Sequence, residues 1–253
     1  MTRVDRKLVA AVACRNQGTR LYAKPLQNLD IENSVTILDN VVACLKSVPV
    51  IDEICLGIAA SEENIAFTKF ADQNGLPHIT GDEQDVLGRL VACGEKAGAT
   101  DILRVTSESP FPSFDLMEAG WDAHVKNGAD ATFMDHVVDG CGFEIISLQA
   151  LQLSHSEGED RHRSELCTLY LRENRDRFRI ENFNAPEELH RMDLRLTVDY
   201  PEDLVLCRAV YENLKGAAPN IAPRDIVDFL DRNPDLVNLT YKFTEAGYET
   251  MYL

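Results

Sequence analysis

The chain has 253 residues, a mass of 28.3 kDa and 45% hydrophobic residues, enough to bury a substantial core, and it fits one α/β domain over residues 1–253. A formal charge of −17 and a pI near 4.7 set the surface against nucleic acid and anionic membranes as general partners, and no apolar run approaches the roughly 20 residues that cross a bilayer. Seven cysteines form no CxxC pair and the first residues, Met-Thr-Arg-Val-Asp-Arg-Lys, lack a secretory pattern, so a reducing cytoplasm is the expected location.

Leu8-Val-Ala-Ala-Val-Ala-Cys14 has the near-continuous apolar character of a buried parallel strand. Ser34 is a plausible N-cap for a helix whose apolar face uses Ile37, Val41, Val42 and Leu45; strand character returns over Ile51 to Ala60. A helix over Glu62 to Gln73 closes at Asn74-Gly75, a short strand covers His78 to Thr80, and a helix is expected from Glu83 to Lys96. A strand over Asp101 to Val105 and a helix over Phe114 to Lys126, ended by Asn127-Gly128, complete a βαβ rhythm that implies a largely parallel sheet with helices on both faces. From about 129 to 184 the rhythm changes, with strand-like Ala131–Met134 and Phe143–Ile146, a charged Ser154–Arg163 stretch and a further strand near Arg177–Ile180; this reads as an excursion from the main sheet. A strand over Leu194–Val198, a helix over Pro201–Leu214 and a helix over Pro223–Asp231 follow.

The first strand leads into Ala13-Cys-Arg-Asn-Gln-Gly-Thr-Arg-Leu-Tyr-Ala-Lys-Pro-Leu26. A loop leaving the carboxyl end of such a strand faces the ligand crevice of an open α/β sheet. From Arg6 to Leu29 there are five cations, Arg6, Lys7, Arg15, Arg20 and Lys24, and no Asp or Glu. Arg15, Arg20 and Lys24 can bond phosphate oxygens, Gly18 permits close approach of the backbone and Thr19 offers a hydroxyl; solvated surface cations fit the local pattern equally well. Glu108 and Asp199 each lie just past a predicted strand, and such a carboxylate pair suits magnesium, with helix capping as the plainer reading of each. Arg104 is either a phosphate or acceptor ligand or one half of an ion pair, and Asp82 and Asp85 cap a helix beside Gly81, which leaves room for a base. His78, His124, His136, His155 and His190 show no ligand spacing.

Read together, Arg15-x-x-x-Thr19-Arg20-Leu21-x-x-Lys24-Pro-Leu26, Asp85-Val-Leu-x-Arg89, Arg104-Val-Thr-Ser107 and Arg195-Leu-Thr-Val-Asp-x-Pro-Glu-Asp-Leu204 resemble the cytidylyltransferases of the SpsF type, relatives of CMP-Kdo and CMP-acylneuraminate synthetases. The resemblance spans roughly Leu8 to Leu214 and implies a three-layer α/β/α, GT-A-like and Rossmann-like nucleotidyltransferase fold. It implies that Arg15, Gly18, Thr19, Arg20 and Lys24 grip CTP, with Gly81 and Arg104 lining the nucleotide site, and that Glu108 and Asp199 hold Mg2+. It further implies a small-molecule acceptor met by Glu165, Thr168 and Tyr170, and a homodimer joined through the 129–184 stretch.

The chain departs from the family pattern at several positions. Glu108 stands where the family has Asp, Tyr22-Ala23 where it has Pro-Gly, and Ser164 and Leu166 where it has Arg and His. Arg161, His162 and Arg163 could replace the missing cations, or could equally form a solvated turn.

The expected reaction is attack of an acceptor oxygen on the α-phosphorus of CTP, with Arg15, Lys24 and Asp199 as the catalytic set and pyrophosphate as the leaving group. The acceptor is an acidic sugar or a phosphorylated or phosphonylated small molecule. A glycosyltransferase-like protein and a catalytically silent nucleotide-binding protein of the same fold remain open as alternatives.

Overall fold

A computed structural model describes residues 5–249. Its centre is a seven-stranded sheet made of β1 (Leu8–Cys14), β4 (Glu53–Ala59), β5 (His78–Gly81), β6 (Asp101–Thr106), β7 (Ala131–Phe133), β8 (Glu144–Ser147) and β9 (Ile180–Asn182). The spatial order is β5-β4-β1-β6-β8-β7-β9. β1 sits between β4 and β6, parallel to both, and is buried along nearly its whole length, which is why its sequence is apolar on both faces. β8 is antiparallel to β6 and β7, and β9 is parallel to β7. A separate two-stranded ribbon, β2 (Asn28–Asp30) and β3 (Val35–Thr36), follows the first loop.

Helices cover both faces. Against one pack α1 (Ile37–Lys46), α2 (Ile65–Asn74), α4 (Phe114–Asn127), α8 (Pro201–Leu214) and α9 (Pro223–Asp231), meeting Leu8, Ala10, Val12 and Cys14 of β1. Against the other pack α3 (Val86–Ala97), α5 (Leu148–Glu157) and α7 (Leu169–Glu173), meeting Val9 and Ala11. Gly75, Gly98 and Gly128 end α2, α3 and α4 in the left-handed conformation that glycine adopts without a Cβ penalty. A short helix α6 (Asp160–Arg163) and a long α10 (Pro234–Glu249) complete the described chain.

Several expectations are corrected. The N-cap of α1 is Thr36, whose hydroxyl accepts from Asp39 N while Asp39 accepts from Thr36 N; Ser34 lies two residues outside, with φ +56°. α3 begins at Val86, because Asp85 Oδ1 accepts from Gly88 N at 2.7 Å and caps it there. Residues 129–184 do not leave the main sheet: β7, β8 and β9 extend it beyond β6. Leu194–Val198 is extended but is no strand, joining its neighbours by one parallel bridge, Asp139 to Arg195.

Candidate active site

β7 runs in the direction of β6, so the loops after β1, β6 and β7 share one edge with the start of β8. The loop after β1 is irregular as far as a 3-10 turn at Lys24–Leu26 and is fixed by bonds within itself and to Glu63 and Asn64. Asn16, 4% exposed, takes the side-chain carbonyl of Asn64 on its N–H at 2.8 Å and gives its side-chain amide to the Glu63 carbonyl. The Asn16 carbonyl accepts from Ala23 N at 2.9 Å, closing the loop on itself. Ala23 lies in the left-handed region (φ 52°), and Pro25 starts the single 3-10 turn Lys24–Leu26. Gly18 is required here, since a Cβ would lie 2.5 Å from the Leu21 carbonyl oxygen. The curl brings Lys24 back over the crevice, 175 residues in sequence from its partner Asp199.

Asp199 is the meeting point of the site. Lys24 Nζ donates to Oδ1 at 2.5 Å, Arg195 Nη2 to Oδ2 at 2.5 Å, and Arg20 Nη1 stands 3.4 Å from Oδ2. Arg195, 3% exposed, also bonds Asp139 at 2.7 Å and Asp203 at 3.1 Å. Asp203 Oδ2 accepts the N–H groups of Asp199 and Tyr200, each at 2.9 Å, which starts α8 and fixes the backbone under the site. Burial works to raise the Asp199 pKa, but the bond and charge of Lys24, with the Arg195 guanidinium, outweigh it and hold the group below its usual 3.8. Asp139 is pushed by burial up to about 6 despite Arg195, and burial likewise raises Asp203.

Glu108 reaches the same edge. Its backbone carbonyl accepts from Val198 N at 3.1 Å, so the loop after β6 is tied to the residue preceding Asp199. Ser107 Oγ lies 2.7 Å from the Ala13 carbonyl and 3.1 Å from Glu108 Oε2, and Ser109 Oγ lies 3.2 Å from Thr197 Oγ1. Among the described residues no three or more His, Cys, Asp or Glu side chains gather as metal ligands. Two carboxylates on tethered backbones still suit a hard divalent cation that takes its other oxygens from phosphate and water.

The remaining predicted residues divide. Arg15, 45% exposed, bonds Glu165 at 3.2 Å and so links the first loop to the segment before α7. Arg104 takes the ion-pair alternative, donating to Glu144 at 2.8 Å and to the Glu165 carbonyl at 2.9 Å. Two of the residues expected to meet the acceptor, Thr168 and Tyr170, are engaged by other side chains. Thr168 is 0% exposed and donates to Glu144 Oε1 at 2.8 Å; the Tyr170 hydroxyl donates to Glu157 at 2.6 Å and accepts from Arg177 at 2.6 Å. Glu165 alone of the three stays open to solvent. Arg161 and His162 are paired with Glu173, and Arg163 Nη2 donates to the His155 carbonyl; with His162 3% exposed inside α6, the stretch is a tied-down helical turn and neither a solvated turn nor a set of free cations. Gly81 closes β5 against Arg89, whose Cγ would lie 2.9 Å from an added Cβ.

Two cations gain roles that their motifs alone did not reveal. Arg195 is the buried counter-charge of the site, signalled only by a cation inside the apolar run Leu194–Val198. Arg89, 2% exposed, has its charged form disfavoured by burial and donates to the carbonyls of Gly57 in β4, at 2.7 Å, and of Cys14 at the end of β1, at 3.3 Å.

Comparison with known proteins gives the fold its relatives. No family model matches the chain. It is 26% identical over 242 residues to an uncharacterized protein of Methanocaldococcus jannaschii, covering 96% of this chain and 98% of that protein. Over 185 residues it is 26% identical to the spore coat polysaccharide biosynthesis protein SpsF of Bacillus subtilis, covering 73% of this chain and 77% of SpsF. A cytidylyltransferase from Leptospira borgpetersenii serovar Hardjo-bovis superposes with a TM-score of 0.81 at 20% identity, covering 92% of this chain and 97% of that one. The architecture is thus the nucleotidyltransferase-like α/β fold, and the SpsF resemblance read from the motifs extends over most of the chain.

Proposed function

We propose that the chain is a cytidylyltransferase that transfers CMP from CTP to a small-molecule acceptor, with release of pyrophosphate, in the synthesis of a surface-polysaccharide or glycoconjugate precursor. The observation that carries this reading is the convergence of Lys24, Arg20 and Arg195 on Asp199, beside the carbonyl-tethered Glu108. An ammonium has three N–H donors, so the bond from Lys24 to Asp199 leaves capacity for phosphate oxygens. Arg20 and Arg15, each about half exposed, can turn to the same triphosphate and offset charge that grows on departing pyrophosphate. Arg195 stays buried and sets the position of the Asp199 carboxylate rather than meeting the nucleotide.

Glu108 and Asp199 would hold a divalent cation, Mg2+ in this reading, which when bound supplies charge neutralisation and orientation of the phosphates. Gly18, Thr19 and Gly81 complete the nucleotide contacts, and Glu165 remains the candidate for meeting the acceptor, an acidic sugar or a phosphorylated or phosphonylated compound. The protein acts in the cytoplasm as a homodimer joined through residues 129–184.

The test follows pyrophosphate in mixtures of the purified chain, each nucleoside triphosphate, Mg2+ and a panel of sugar acids. Release that requires CTP and one acceptor is the expected outcome. Turnover of a nucleotide-sugar instead would make the protein a glycosyltransferase, and tight CTP binding with no release for any acceptor would favour a silent binding protein. In parallel, Lys24→Ala and Arg15→Ala are each expected to weaken CTP binding about tenfold or more, the scale of one charge-assisted phosphate contact. Unchanged affinity in both would overturn the loop assignment.

A further inference from the structure

Arg20 is half exposed, and its contact with Asp199 is a loose one at 3.4 Å. An exposed ion pair of this kind restricts a long side chain only weakly. A second constraint acts on it. The Arg20 guanidinium lies over the ring of Tyr200, 5.1 Å from the centroid, and Tyr200 follows Asp199 directly. The Tyr200 ring is in turn stacked on Phe243 of α10, with centroids 3.7 Å apart and planes 9° from parallel. A ring with one face covered so closely has only the other face to offer a cation. Lys242 Nζ stands 4.6 Å from the Phe243 centroid and 3.2 Å from Glu202 Oε1, which pins the far side of the stack to the first turn of α8. Phe243 is partly buried, and its neighbour Thr244 is buried.

We propose that Phe243 is a positioning residue for nucleotide binding: by fixing the plane of Tyr200 it holds the Arg20 guanidinium toward the crevice in the orientation that receives the triphosphate. The inference rests on the triphosphate reading of the first loop and adds α10 to the machinery. A free Tyr200 ring would rotate about its Cα–Cβ bond, and Arg20 would lose the surface that limits its rotamers. Phe243 touches no substrate; it acts through Tyr200 and Arg20.

The experiment measures equilibrium affinity for CTP and for inorganic tripolyphosphate in the full chain. The variants are Phe243→Leu, which keeps apolar volume without a ring face, Phe243→Tyr, which restores the ring, Arg20→Ala, and the double variant Phe243→Leu/Arg20→Ala. Thermal unfolding of each separates a loss of fold from a loss of positioning. Phe243→Leu is expected to weaken both ligands about three- to tenfold, Phe243→Tyr to bind within about twofold of the parent, and the double variant to be no weaker than Arg20→Ala alone. Full affinity in a folded Phe243→Leu, or losses that simply add in the double variant, would overturn the proposal. Lys24→Ala, measured beside them, keeps the two readings apart. If it weakens tripolyphosphate while Phe243→Leu does not, only the positioning role fails; if neither weakens it, the triphosphate site itself is wrong.

Discussion

Arg195 is 3% exposed and touches three carboxylates, Asp139, Asp199 and Asp203, while Lys24 and Arg20 add charge from the open side. A buried guanidinium is tolerated only when its donors are met this fully. Within the cluster Asp139 bears the cost, since burial lifts its pKa to about 6 from an ordinary 3.8. Between those two values the folded chain holds a proton that the unfolded chain has released, so the contribution of Asp139 to stability declines as pH rises from about 4 to about 6 and is level above that. Asp139→Asn is therefore expected to reduce this decline relative to the parent, read as the urea midpoint at a series of pH values. Parallel pH profiles for the two proteins would contradict the assignment.

Among elements, α1 offers the clearest test of what fixes a boundary. The capping box of Thr36 and Asp39 satisfies two N–H groups at the helix start, and Ser34 contributes to none of them. Thr36→Ala is expected to cost about 1 kcal/mol in chemical denaturation, whereas Ser34→Gly, at φ +56°, should be neutral or mildly stabilising. The helix signal itself is legible, because Ile37, Val41, Val42 and Leu45 repeat at helical spacing; its first residue is not, because Ser34 and Thr36 are both cap-forming residue types and Ser is the commoner cap. The same holds for β1 and α4, whose apolar runs and closing glycine are local properties.

Partner choice is not local. Ala131–Phe133 and Glu144–Ser147 were readable as strands, yet nothing within them shows that they extend the main sheet instead of leaving it. Leu194–Val198 alternates like a strand but spends its bonds on Asp139 and Glu108 carbonyls. α10 is not legible in the sequence because its buried face includes Thr240 and Thr244, which carry no apolar periodicity. Within the site, the cations of the first loop stood out against their surroundings, whereas the commitments of Thr168 and Tyr170 to Glu144 and Glu157 depend on elements far away in sequence.

Over the whole molecule, the acid-free stretch divides between the two edges of the sheet. Arg6 pairs with the buried Asp101 and lies 5.4 Å from the Trp121 ring centroid, and Lys7 pairs with Glu53, all at the edge where β1 begins. Arg15, Arg20 and Lys24 remain at the other edge, a local cationic field in a chain of formal charge −17. Attraction at half-exposed cations is screened over a Debye length of about 10 Å at 0.1 M salt. CTP affinity is expected to fall steadily between about 0.05 and 0.5 M NaCl, with a shallower dependence in Lys24→Ala; titrations at fixed pH read both slopes. A salt-independent affinity would mean that the loop cations do not meet the triphosphate.

The bond from Lys24 to Asp199 closes a separation of 175 residues, and the Arg20 stack draws on α10 beyond it. Contacts this remote close a long loop, whose entropic cost grows slowly with its length and is met only when the distant segments are held by the rest of the fold. The first loop thus lies early in the chain, yet Lys24 and Arg20 meet their partners only where the chain beyond residue 198 is also in place. A partly folded intermediate with β1, β4 and α1 in place would have native-like secondary structure and no capacity to hold a nucleotide.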